Sequence, residues 1–586
     1  MRRAKIVCTL GPASSDRRTI RDLADAGMSV ARINSSHGTL ESRADVVETV
    51  RSVDEELAEP LATMVDMQGP EVRTAPLDEP IFLETGTEIR YEPGDTATPD
   101  VVGLSYDLTG VEPGDDVLLD DGRIETTVLR VDDDGVVARV DSGGELAGRK
   151  GVNTPGVDLD LEVVTEKDRR DLELAAEHEV DFVAASFVRD ASDVFEVSQV
   201  LEEFDADIPI VAKIERAGAV ENLEEIIDAA YGIMVARGDL GVELPMEQVP
   251  MIQKRIIRRC QETGTPVITA TEMLDSMVHA RRPTRAEASD VANAVLDGTD
   301  AVMLSGETAI GDHPIAVVEA MDSIVSQVEG DTEYDEANER RVPGADDSRT
   351  DALARSARYL ARDLGASAIV AGTESGYTAL KTAKYRPNVP VVAATTTDRV
   401  RRQLALSWGV NPQYAPLGVE GPDDVIENAV QAALDAGVAQ SGDTVVVLSG
   451  MMTELEGTGT TNMLKVHIAA ETLAAGRGVV SGYASGPLHH VADGDLTDVP
   501  EGAIVALDED FDDEFVGEIS KLAGIVDARP GMTGYPAMVA REVDIPMISG
   551  ADVIEGYDGD VVTLDAERGV VYEGEIRQRG TDRPEH

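Results

Sequence analysis

Eight short apolar segments, most of them followed by an amphipathic helix, constrain the fold of this 586-residue chain more than any other feature. Each has the length and composition of a strand buried on both faces. The segments are residues 5–10, 30–34, 61–66, 181–187, 208–215, 232–239, 266–272 and 301–307. Eight β/α units in succession predict a closed parallel (β/α)8 barrel, with functional residues at the carboxyl ends of its strands.

The third segment lacks its helix and is followed by about a hundred residues of a different kind. After Gly69-Pro70, residues 71–164 contain short β segments separated by turns such as Asp121-Gly122 and Asp134-Gly135. This pattern predicts a small β-barrel domain inserted in a barrel loop. Because the loop lies at the catalytic face, the insertion is expected to act as a lid.

The chain beyond the eighth unit predicts two further domains. Residues 330–348 are polar and acidic with little periodicity, so we predict a linker there. An α/β pattern resumes at Asp351, with strands expected at 368–371, 389–394 and 444–448, and a strand-and-helix domain follows Gly476. The predicted division is a barrel at 1–70 and 165–335, a lid at 71–164, an α/β domain at 349–470 and a β/α domain at 476–586.

The net charge of −61 is extreme for a folded chain. Such self-repulsion destabilises a compact state in dilute buffer, but at molar salt the Debye length falls to about 3 Å. We interpret the charge as adaptation to a salt-rich cytoplasm; a scaffold for basic partners is the alternative. Nucleic acid is not expected as a partner, because its binding needs a basic surface.

Hydropathy and cysteine content indicate a soluble cytoplasmic protein. No run of about 18 apolar residues is present, so no membrane span is expected. The start of the chain lacks the pattern of a signal peptide. Cys8 and Cys260 are too few for a disulfide framework.

Polar side chains occupy the carboxyl ends of several predicted strands, where they face the mouth of a barrel. They are Arg32, Asn34, Lys213, Glu215, Asp239 and Thr271. Lys213 and Glu215 are two apart on one strand and therefore share a face. Two carboxylates without a nearby His or Cys suit a hard divalent ion, Mg²⁺ or Mn²⁺. A buried salt bridge among Lys213, Glu215 and Asp239 is the alternative without chemistry.

The sequence resembles the pyruvate kinases over residues 1 to about 470. The segments that carry the resemblance include Arg32-Ile33-Asn34-Ser35-Ser36-His37-Gly38, Lys213-Ile214-Glu215 and Arg237-Gly238-Asp239-Leu240-Gly241. The others are residues 7–15, 69–74, 150–156, 234–236, 282–294 and 305–308. The resemblance implies phosphoryl transfer from phosphoenolpyruvate to ADP in glycolysis, with a (β/α)8 TIM barrel, a lid and an α/β domain.

The resemblance also implies roles for individual residues at the substrate. Glu215 and Asp239 would bind the divalent ion, and Lys213 would stabilise the phosphoryl group in transfer. Arg32 would contact the substrate phosphate. The amides of Gly238 and Asp239 would hold the substrate carboxylate. Thr271 would lie beside the enol carbon and help to deliver its proton.

A second set of implied residues concerns the nucleotide. Arg73 and Lys150 on the lid side would bind the ADP phosphates, together with Asn34 and His37. For His37 alone, a hydrogen bond at a helix terminus is an equal alternative. The sequence contains no Gly-x-x-x-x-Gly-Lys motif, so a Walker loop is not expected.

A monovalent-cation site completes the implied barrel site. Asn34, Ser36, Asp66 and the carbonyl of Met67 match the K⁺ ligands of the family. Met67 replaces a common Thr, but it would contribute through its backbone. Since K⁺-dependent members carry Glu where this chain has Glu71, we predict K⁺ dependence.

The α/β domain carries a segment that resembles the family's effector-phosphate loop. Its candidate residues are Thr373, Ser375, Gly376 and Thr378. Glu374 would repel a sugar bisphosphate, so we expect no activation by fructose 1,6-bisphosphate; a monophosphate effector and an unoccupied surface turn both remain open. A homotetramer is expected from the family alone.

Residues beyond Gly476 resemble the swivelling phosphohistidine domain of phosphoenolpyruvate-utilising enzymes. Where those enzymes have Thr-Ser-His, this chain has Thr533-Gly534-Tyr535, and no histidine lies between His490 and His586. The histidine relay is therefore chemically disabled, and we expect a structural or regulatory domain.

Three other functions compete with a pyruvate kinase. A class II aldolase would use Mg²⁺ and a pyruvate enolate, but it needs no nucleotide site. A regulatory paralogue would be expected to lose Lys213, Glu215 or Asp239, and all three are present. A histidine-relay synthase needs the missing histidine.

Overall fold

A computed structural model describes residues 2–108, 110–133, 135–416, 422–449, 461–470, 472–551 and 555–576. The described residues divide into two compact units. The first takes those within Met1–Arg358, Ala371–Pro416 and Gly450–Asn462, and the second takes those within Tyr359–Val370, Leu417–Ser449 and Met463–His586. In the described part of the chain, no helix has both the length and the apolar character needed to cross a membrane.

Eight parallel strands of the first unit form a closed barrel, which confirms the predicted TIM barrel. Its strands are Lys5–Leu10, Val30–Asn34, Ala62–Asp66, Phe182–Ala185, Ile210–Ile214, Gly232–Ala236, Val267–Ala270 and Ala301–Leu304. They follow one another around the barrel in chain order. Several end earlier than predicted; the sixth stops at Ala236, because a helix begins at Arg237.

Helices and short turns accompany these strands. The helices are Arg17–Asp25, Leu40–Asp54, Glu166–Glu177, Ala191–Glu203, Ala217–Glu221, Leu223–Ala229, Arg237–Glu243, Val249–Thr263, Arg285–Asp297, Gly306–Ala309 and Pro314–Glu329, with a 3-10 turn at Asp275–Val278. Three of them begin with a reciprocal capping box, in which Thr39, Thr165 or Thr284 accepts from a backbone N–H of the first turn.

The barrel core follows from the alternation of side chains along each strand. Val7 and Met64 pack inside the barrel with Phe182 and Met234, whereas Ile6 belongs to the cluster formed with the outer helices. Because both faces of each strand are buried, the strands read as continuous apolar runs. The apolar side chains inside the barrel give way to polar side chains at the carboxyl ends of the strands.

The insertion after the third barrel strand is an all-β lid. Its strands are Ile81–Leu83, Glu88–Pro93, Val101–Leu104, Asp116–Leu119, Ile124–Asp132, Gly135–Ser142, Gly144–Leu146 and Val152–Asn153. They form a six-stranded and a two-stranded sheet in place of a single closed barrel. Asp120, Asp121 and Gly122 all have positive φ and build the predicted turn at one edge. Asp134 of the other predicted turn lies outside the described residues.

The linker predicted at 330–348 is wrong over Thr332–Arg341, which forms a helix. The Asp331 carboxylate caps it by accepting from the amide of Glu333. Tyr334 is buried on its inner face, and its hydroxyl oxygen accepts a 2.8 Å bond from the indole N–H of Trp408. The helix is not apparent from its polar sequence, because only Tyr334, Ala337 and Asn338 are buried.

The α/β segment contributes elements to both units. The helices are Arg349–Leu364, Tyr377–Lys384, Asp398–Gln403 and Pro422–Asp435, with a 3-10 turn at Leu404–Leu406. The strands are Ala368–Gly372, Val391–Thr395, Val410–Tyr414, Asp443–Ser449 and Met463–Ala469. Val391–Thr395 and Val410–Tyr414 pair in parallel within the first unit. Asp443–Ser449 and Met463–Ala469 pair antiparallel within the second.

An eight-stranded mixed sheet forms the rest of the second unit and matches the predicted β/α domain. Its strands are Thr472–Ala475, Arg477–Val480, Tyr483–His490, Ile504–Leu507, Gly524–Asp527, Met547–Ser549, Val561–Asp565 and Val570–Glu573. One helix, Tyr535–Val543, and 3-10 turns at Ile519–Lys521 and Glu555–Tyr557 accompany it. Pro536 stands in the helix's first turn, where its missing N–H costs no hydrogen bond.

Candidate active site

A cavity of about 150 Å³ opens at the carboxyl ends of the barrel strands. Barrel residues supply one part of its lining: Arg32, Asn34, Ser36, Met67, Gln68, Ser186, Phe187, Lys213, Glu215, Arg216 and Asp239. The lid segment supplies the rest: Glu71, Val72, Asp121, Gly151, Val152 and Asn153. Most of the predicted rim residues therefore share one cavity.

Lys213 is held by three oxygen-bearing groups. Its Nζ lies 2.8 Å from Glu215 Oε1 and 3.4 Å from Asp66 Oδ1. It also donates a 2.8 Å hydrogen bond to Ser186 Oγ. Burial by itself would lower the pKa of Lys213, but Asp66 and Glu215 outweigh it and raise that pKa above its usual range. The ammonium is therefore fixed in its charged form.

Arg32 and Asp66 form a second buried pair. Arg32 Nε lies 2.6 Å from Asp66 Oδ2, and Arg32 Nη1 donates to Thr9 Oγ1 at 2.8 Å. Burial acts to raise the pKa of Asp66, but Arg32 and Lys213 outweigh it and hold that pKa below its usual range. Asp66 thus stays ionised between two cations, and both cations line the cavity.

Glu215 and Asp239 form an acidic pair on the cavity wall. Glu215 Oε2 accepts a 2.7 Å bond from the backbone N–H of Phe187, which has a φ of +58°. Burial, and then repulsion by Glu215, raise the pKa of Asp239 to about 7, although Lys213 acts in the opposite direction. Repulsion between two oxygen ligands is what a hard divalent cation relieves, so the pair fits Mg²⁺ or Mn²⁺.

The protein offers a divalent ion few ligands besides this pair. Across the described residues, no group of three or more His, Cys, Asp and Glu is arranged to hold a metal ion. A site with two carboxylates leaves the remaining positions to water and substrate, which is how Mg²⁺ is commonly bound.

The predicted monovalent-cation ligands also cluster. Asn34, Ser36 and Met67 line the cavity beside the Asp66 pair. Asn34 Oδ1 accepts from the Ser36 amide at 3.0 Å, and the Met67 carbonyl accepts from Ser186 Oγ at 2.7 Å. A set of amide, hydroxyl, carboxylate and carbonyl oxygens fits K⁺ in its chemistry.

Thr271 contacts Gly238, the residue before Asp239, and lies on a strained turn outside the cavity lining. It has a φ of +69°, and the following Glu272 has a φ of +54°. The amide of Gly238 donates a 2.8 Å hydrogen bond to Thr271 Oγ1, which itself donates to the Ala270 carbonyl at 2.8 Å. The Gly238 amide is thus engaged by Thr271.

The predicted nucleotide cations do not line the cavity, because lid carboxylates hold them. Arg73 Nη2 lies 2.6 Å from Glu71 Oε2. Lys150 Nζ lies 2.7 Å from Asp120 Oδ1. His37 is exposed, and its backbone joins the turn through a bond from its amide to the Asn34 carbonyl. Arg73, Lys150 and His37 therefore lie outside the cavity lining.

The predicted effector loop lies at the start of helix Tyr377–Lys384 in the first unit. Gly376 has a φ of +84°, and Ser375 is exposed. Thr373 donates its amide to the Ala394 carbonyl, and buried Thr378 shares a 2.7 Å hydroxyl bond with Thr461. The loop is thus ordered by its own hydrogen bonds.

Sequence reasoning missed several lining residues, of which Ser186 is the most informative. It joins Lys213 to the Met67 carbonyl, and with Phe187 it holds both members of the Lys213–Glu215 pair. Ser186 directly follows the fourth strand, Phe182–Ala185, so the strand-end rule could have identified it. Asn153 lies in the segment 150–156 that carries the family resemblance, whereas Asp121 and Arg216 carried no comparable signal.

Comparisons with known proteins agree with this geometry. Residues 1–318 match the family model described as pyruvate kinase, barrel domain, and residues 351–467 match pyruvate kinase, alpha/beta domain. Residues 499–569 match the PEP-utilising enzyme, mobile domain. A pyruvate kinase of Bacillus licheniformis is 40% identical over 98% of this chain and 99% of its own length. One of Staphylococcus aureus is 41% identical with the same coverage. This chain belongs to the pyruvate kinase family.

Proposed function

We propose that the protein transfers the phosphoryl group of phosphoenolpyruvate to ADP, giving pyruvate and ATP, in the glycolysis of a salt-rich cytoplasm. The observation that carries this proposal is the charged Lys213 ammonium, held among Glu215, Asp66 and Ser186 in the barrel cavity. Phosphoryl transfer needs positive charge fixed in advance, because the transferred group carries spread negative charge.

The cations and carboxylates divide the work at the substrate. Lys213 and Arg32 hold the phosphoryl group, since both line the cavity and both are anchored by Asp66. Glu215 and Asp239 hold Mg²⁺ or Mn²⁺, which supplies neutralisation of phosphate and enolate charge. Thr271 lies beside the enol carbon and helps to deliver its proton. The Gly238 and Asp239 amides orient the substrate carboxylate, for which the Gly238 amide exchanges its bond to Thr271 Oγ1 for one to the substrate.

Nucleotide binding requires two ion pairs to open. Arg73 and Lys150 reach the ADP phosphates after leaving Glu71 and Asp120, and Asn34 and His37 complete the site. The exchange is favourable because a phosphate accepts more charge-assisted hydrogen bonds than one carboxylate. Asn34, Ser36, Asp66 and Met67 bind K⁺.

The wider organisation is proposed on the resemblance. We retain the division into a barrel at 1–70 and 165–335, a lid at 71–164, an α/β domain at 349–470 and a swivel-like domain at 476–586. The protein acts as a homotetramer, and the loop with Thr373, Ser375, Gly376 and Thr378 is the candidate effector loop, for which a monophosphate effector and an unoccupied surface turn are the two alternatives. The swivel-like domain, which lacks the histidine, is structural or regulatory.

Formation of pyruvate from phosphoenolpyruvate and ADP, in high KCl with Mg²⁺, tests the proposed activity. We expect ADP-dependent turnover in the wild type and its loss in Lys213→Ala. Lys254→Ala is the matched control, because Lys254 is half-exposed and pairs with Asp297 away from the cavity. A folded wild type that binds Mg²⁺ but gives no turnover would contradict the proposal and favour an aldolase or a regulatory protein.

A further inference from the structure

Arg237 connects the helix that carries Asp239 to the turn that carries Thr271. Its Nε donates to the Ala270 carbonyl at 3.1 Å, and its Nη2 donates to the Thr271 carbonyl at 2.9 Å. One guanidinium therefore binds two successive carbonyls of the turn. A lysine ammonium lacks this planar fork and cannot reproduce the pair of bonds.

The turn needs such support, because its backbone conformation is unfavourable. Thr271 and Glu272 follow one another at φ of +69° and +54°. A positive φ is a genuine outlier for a β-branched residue such as Thr271. Residues in such conformations persist where the surrounding structure over-determines them. The two bonds from Arg237, with the Gly238 amide on the Thr271 hydroxyl, supply this determination.

Arg237 is itself held from behind. Its Nη1 lies 2.7 Å from the Asp290 carboxylate and 3.4 Å from Gln253 Oε1. Asp290 lies on the helix Arg285–Asp297, which lines no part of the cavity. The guanidinium thus has fixed partners on both sides, and none of these partners is a cavity carboxylate.

We propose that Arg237 is a positioning residue: it holds the left-handed turn at Thr271 and Glu272 and so aims the Thr271 hydroxyl at the carbon that is protonated. This inference rests on the proposed role of Thr271. It predicts that loss of the guanidinium impairs proton transfer, whereas the phosphate contacts of Lys213 and Arg32 remain. Misplacement of a catalytic group by about 1 Å costs on the order of 100-fold in rate.

Proton transfer can be measured apart from phosphoryl transfer. Run in reverse, the protonation step removes a hydrogen from the pyruvate methyl group and returns one from solvent. Incorporation of deuterium into the methyl group of pyruvate in D₂O, with ATP, Mg²⁺ and K⁺ present, therefore reports on this step by NMR. Steady-state turnover gives kcat and the KM for phosphoenolpyruvate beside it.

Arg237→Lys is the main test variant, and Asp290→Asn is the second. We expect Arg237→Lys to slow deuterium incorporation and kcat by about 10- to 100-fold, with the KM for phosphoenolpyruvate within about 2-fold of wild type. Asp290→Asn keeps both carbonyl bonds and should slow the exchange by a smaller factor. Arg258→Lys is the matched control, because Arg258 is largely exposed and pairs with Glu262 on its own helix.

A double variant separates positioning from general damage. If Arg237 acts through Thr271, then Arg237→Lys combined with Thr271→Ala will exchange deuterium no more slowly than Thr271→Ala alone. Additive losses would overturn the inference, as would wild-type exchange in Arg237→Lys. If Thr271→Ala itself exchanges normally, the role proposed for Thr271 fails instead. Thermal unfolding of each variant shows whether it is folded. If Arg237→Lys does not fold, Asp290→Asn replaces it, alone and combined with Thr271→Ala, and the same comparison of exchange rates tests the inference.

Discussion

Lys213 lies in the fifth barrel strand, Ile210–Ile214, and Glu215 directly follows that strand, with Lys213 Nζ and Glu215 Oε1 2.8 Å apart. The residue spacing of two made this contact possible, and the other Glu215 oxygen is fixed by the Phe187 amide. In the described structure, the ammonium neutralises a carboxylate that we assign to the divalent ion. Binding of that ion to Glu215 and of the substrate phosphate to Lys213 therefore replaces the Lys213–Glu215 ion pair.

The raised pKa of Asp239 predicts pH-dependent Mg²⁺ binding. Since its pKa is about 7, Asp239 is protonated in much of the metal-free protein below that pH, and Mg²⁺ must displace the proton. We expect the affinity for Mg²⁺ to weaken by up to about tenfold per pH unit below 7 and to level off above it. Isothermal titration calorimetry from pH 5.5 to 8.5 measures this. An equally steep profile in Asp239→Asn would assign the titration to another group.

The same pKa predicts a loss of stability in the metal-free protein as pH rises. The folded protein holds a proton on Asp239 between the ordinary aspartate pKa of 3.8 and about 7, whereas the unfolded chain releases it. The contribution of Asp239 to the free energy of unfolding is therefore largest below that window and is lost as pH rises through it. We expect Asp239→Asn to raise Tm at pH 8 in EDTA and to change it little at pH 4.5.

Glu71 predicts how the protein responds to K⁺. Its carboxylate lines the cavity and pairs with Arg73, and burial raises its pKa. We expect Glu71→Lys to retain a larger share of its activity without K⁺, because an ammonium at this position supplies positive charge near the proposed K⁺ site. Turnover in KCl and in tetramethylammonium chloride at equal ionic strength measures the effect. Glu71→Gln is the control: it adds no cation and should stay dependent on K⁺.

The net charge of −61 predicts that salt stabilises the fold. Many acidic side chains are exposed, so their repulsion is screened as ionic strength rises. We expect Tm to rise by several degrees between 0.1 and 2 M KCl; about 1 kcal/mol of stabilisation corresponds to roughly 2–4 °C in a domain of 150–250 residues. Sucrose solutions without added salt control for general solute effects. A Tm that falls with KCl would contradict the halophilic interpretation.

Tyr334 and Trp408 give a test of the unexpected helix. Trp408 is the single tryptophan of the chain, and its indole N–H donates to the Tyr334 hydroxyl. We expect Tyr334→Phe to cost about 1 kcal/mol of unfolding free energy, since the buried N–H loses its partner. Chemical unfolding followed by tryptophan fluorescence measures the loss and the change in emission together. Tyr359→Phe, on another helix, is the control substitution. An unchanged midpoint would show that this contact does not anchor the helix.

The sequence alone determined the barrel, the insertion and most of the polar rim. Strand alternation and strand ends are local properties, so the residue pattern by itself places Lys213, Glu215, Asp239 and Arg32 at one mouth of the barrel. The family could be identified for the same reason, because its motifs lie at those strand ends.

Tertiary structure decided how these groups are partnered, because partners distant in sequence have no local signal. Packing of separate segments brings Ser186 within hydrogen-bonding distance of Lys213 and pairs Asp120 with Lys150. In the helix Thr332–Arg341, the buried Tyr334 accepts a hydrogen bond from Trp408, which is distant in sequence. Arg237 likewise reaches the left-handed turn at Thr271 from another strand end and donates to the carbonyls of Ala270 and Thr271, and residues 266–272 carry no local signal of that contact.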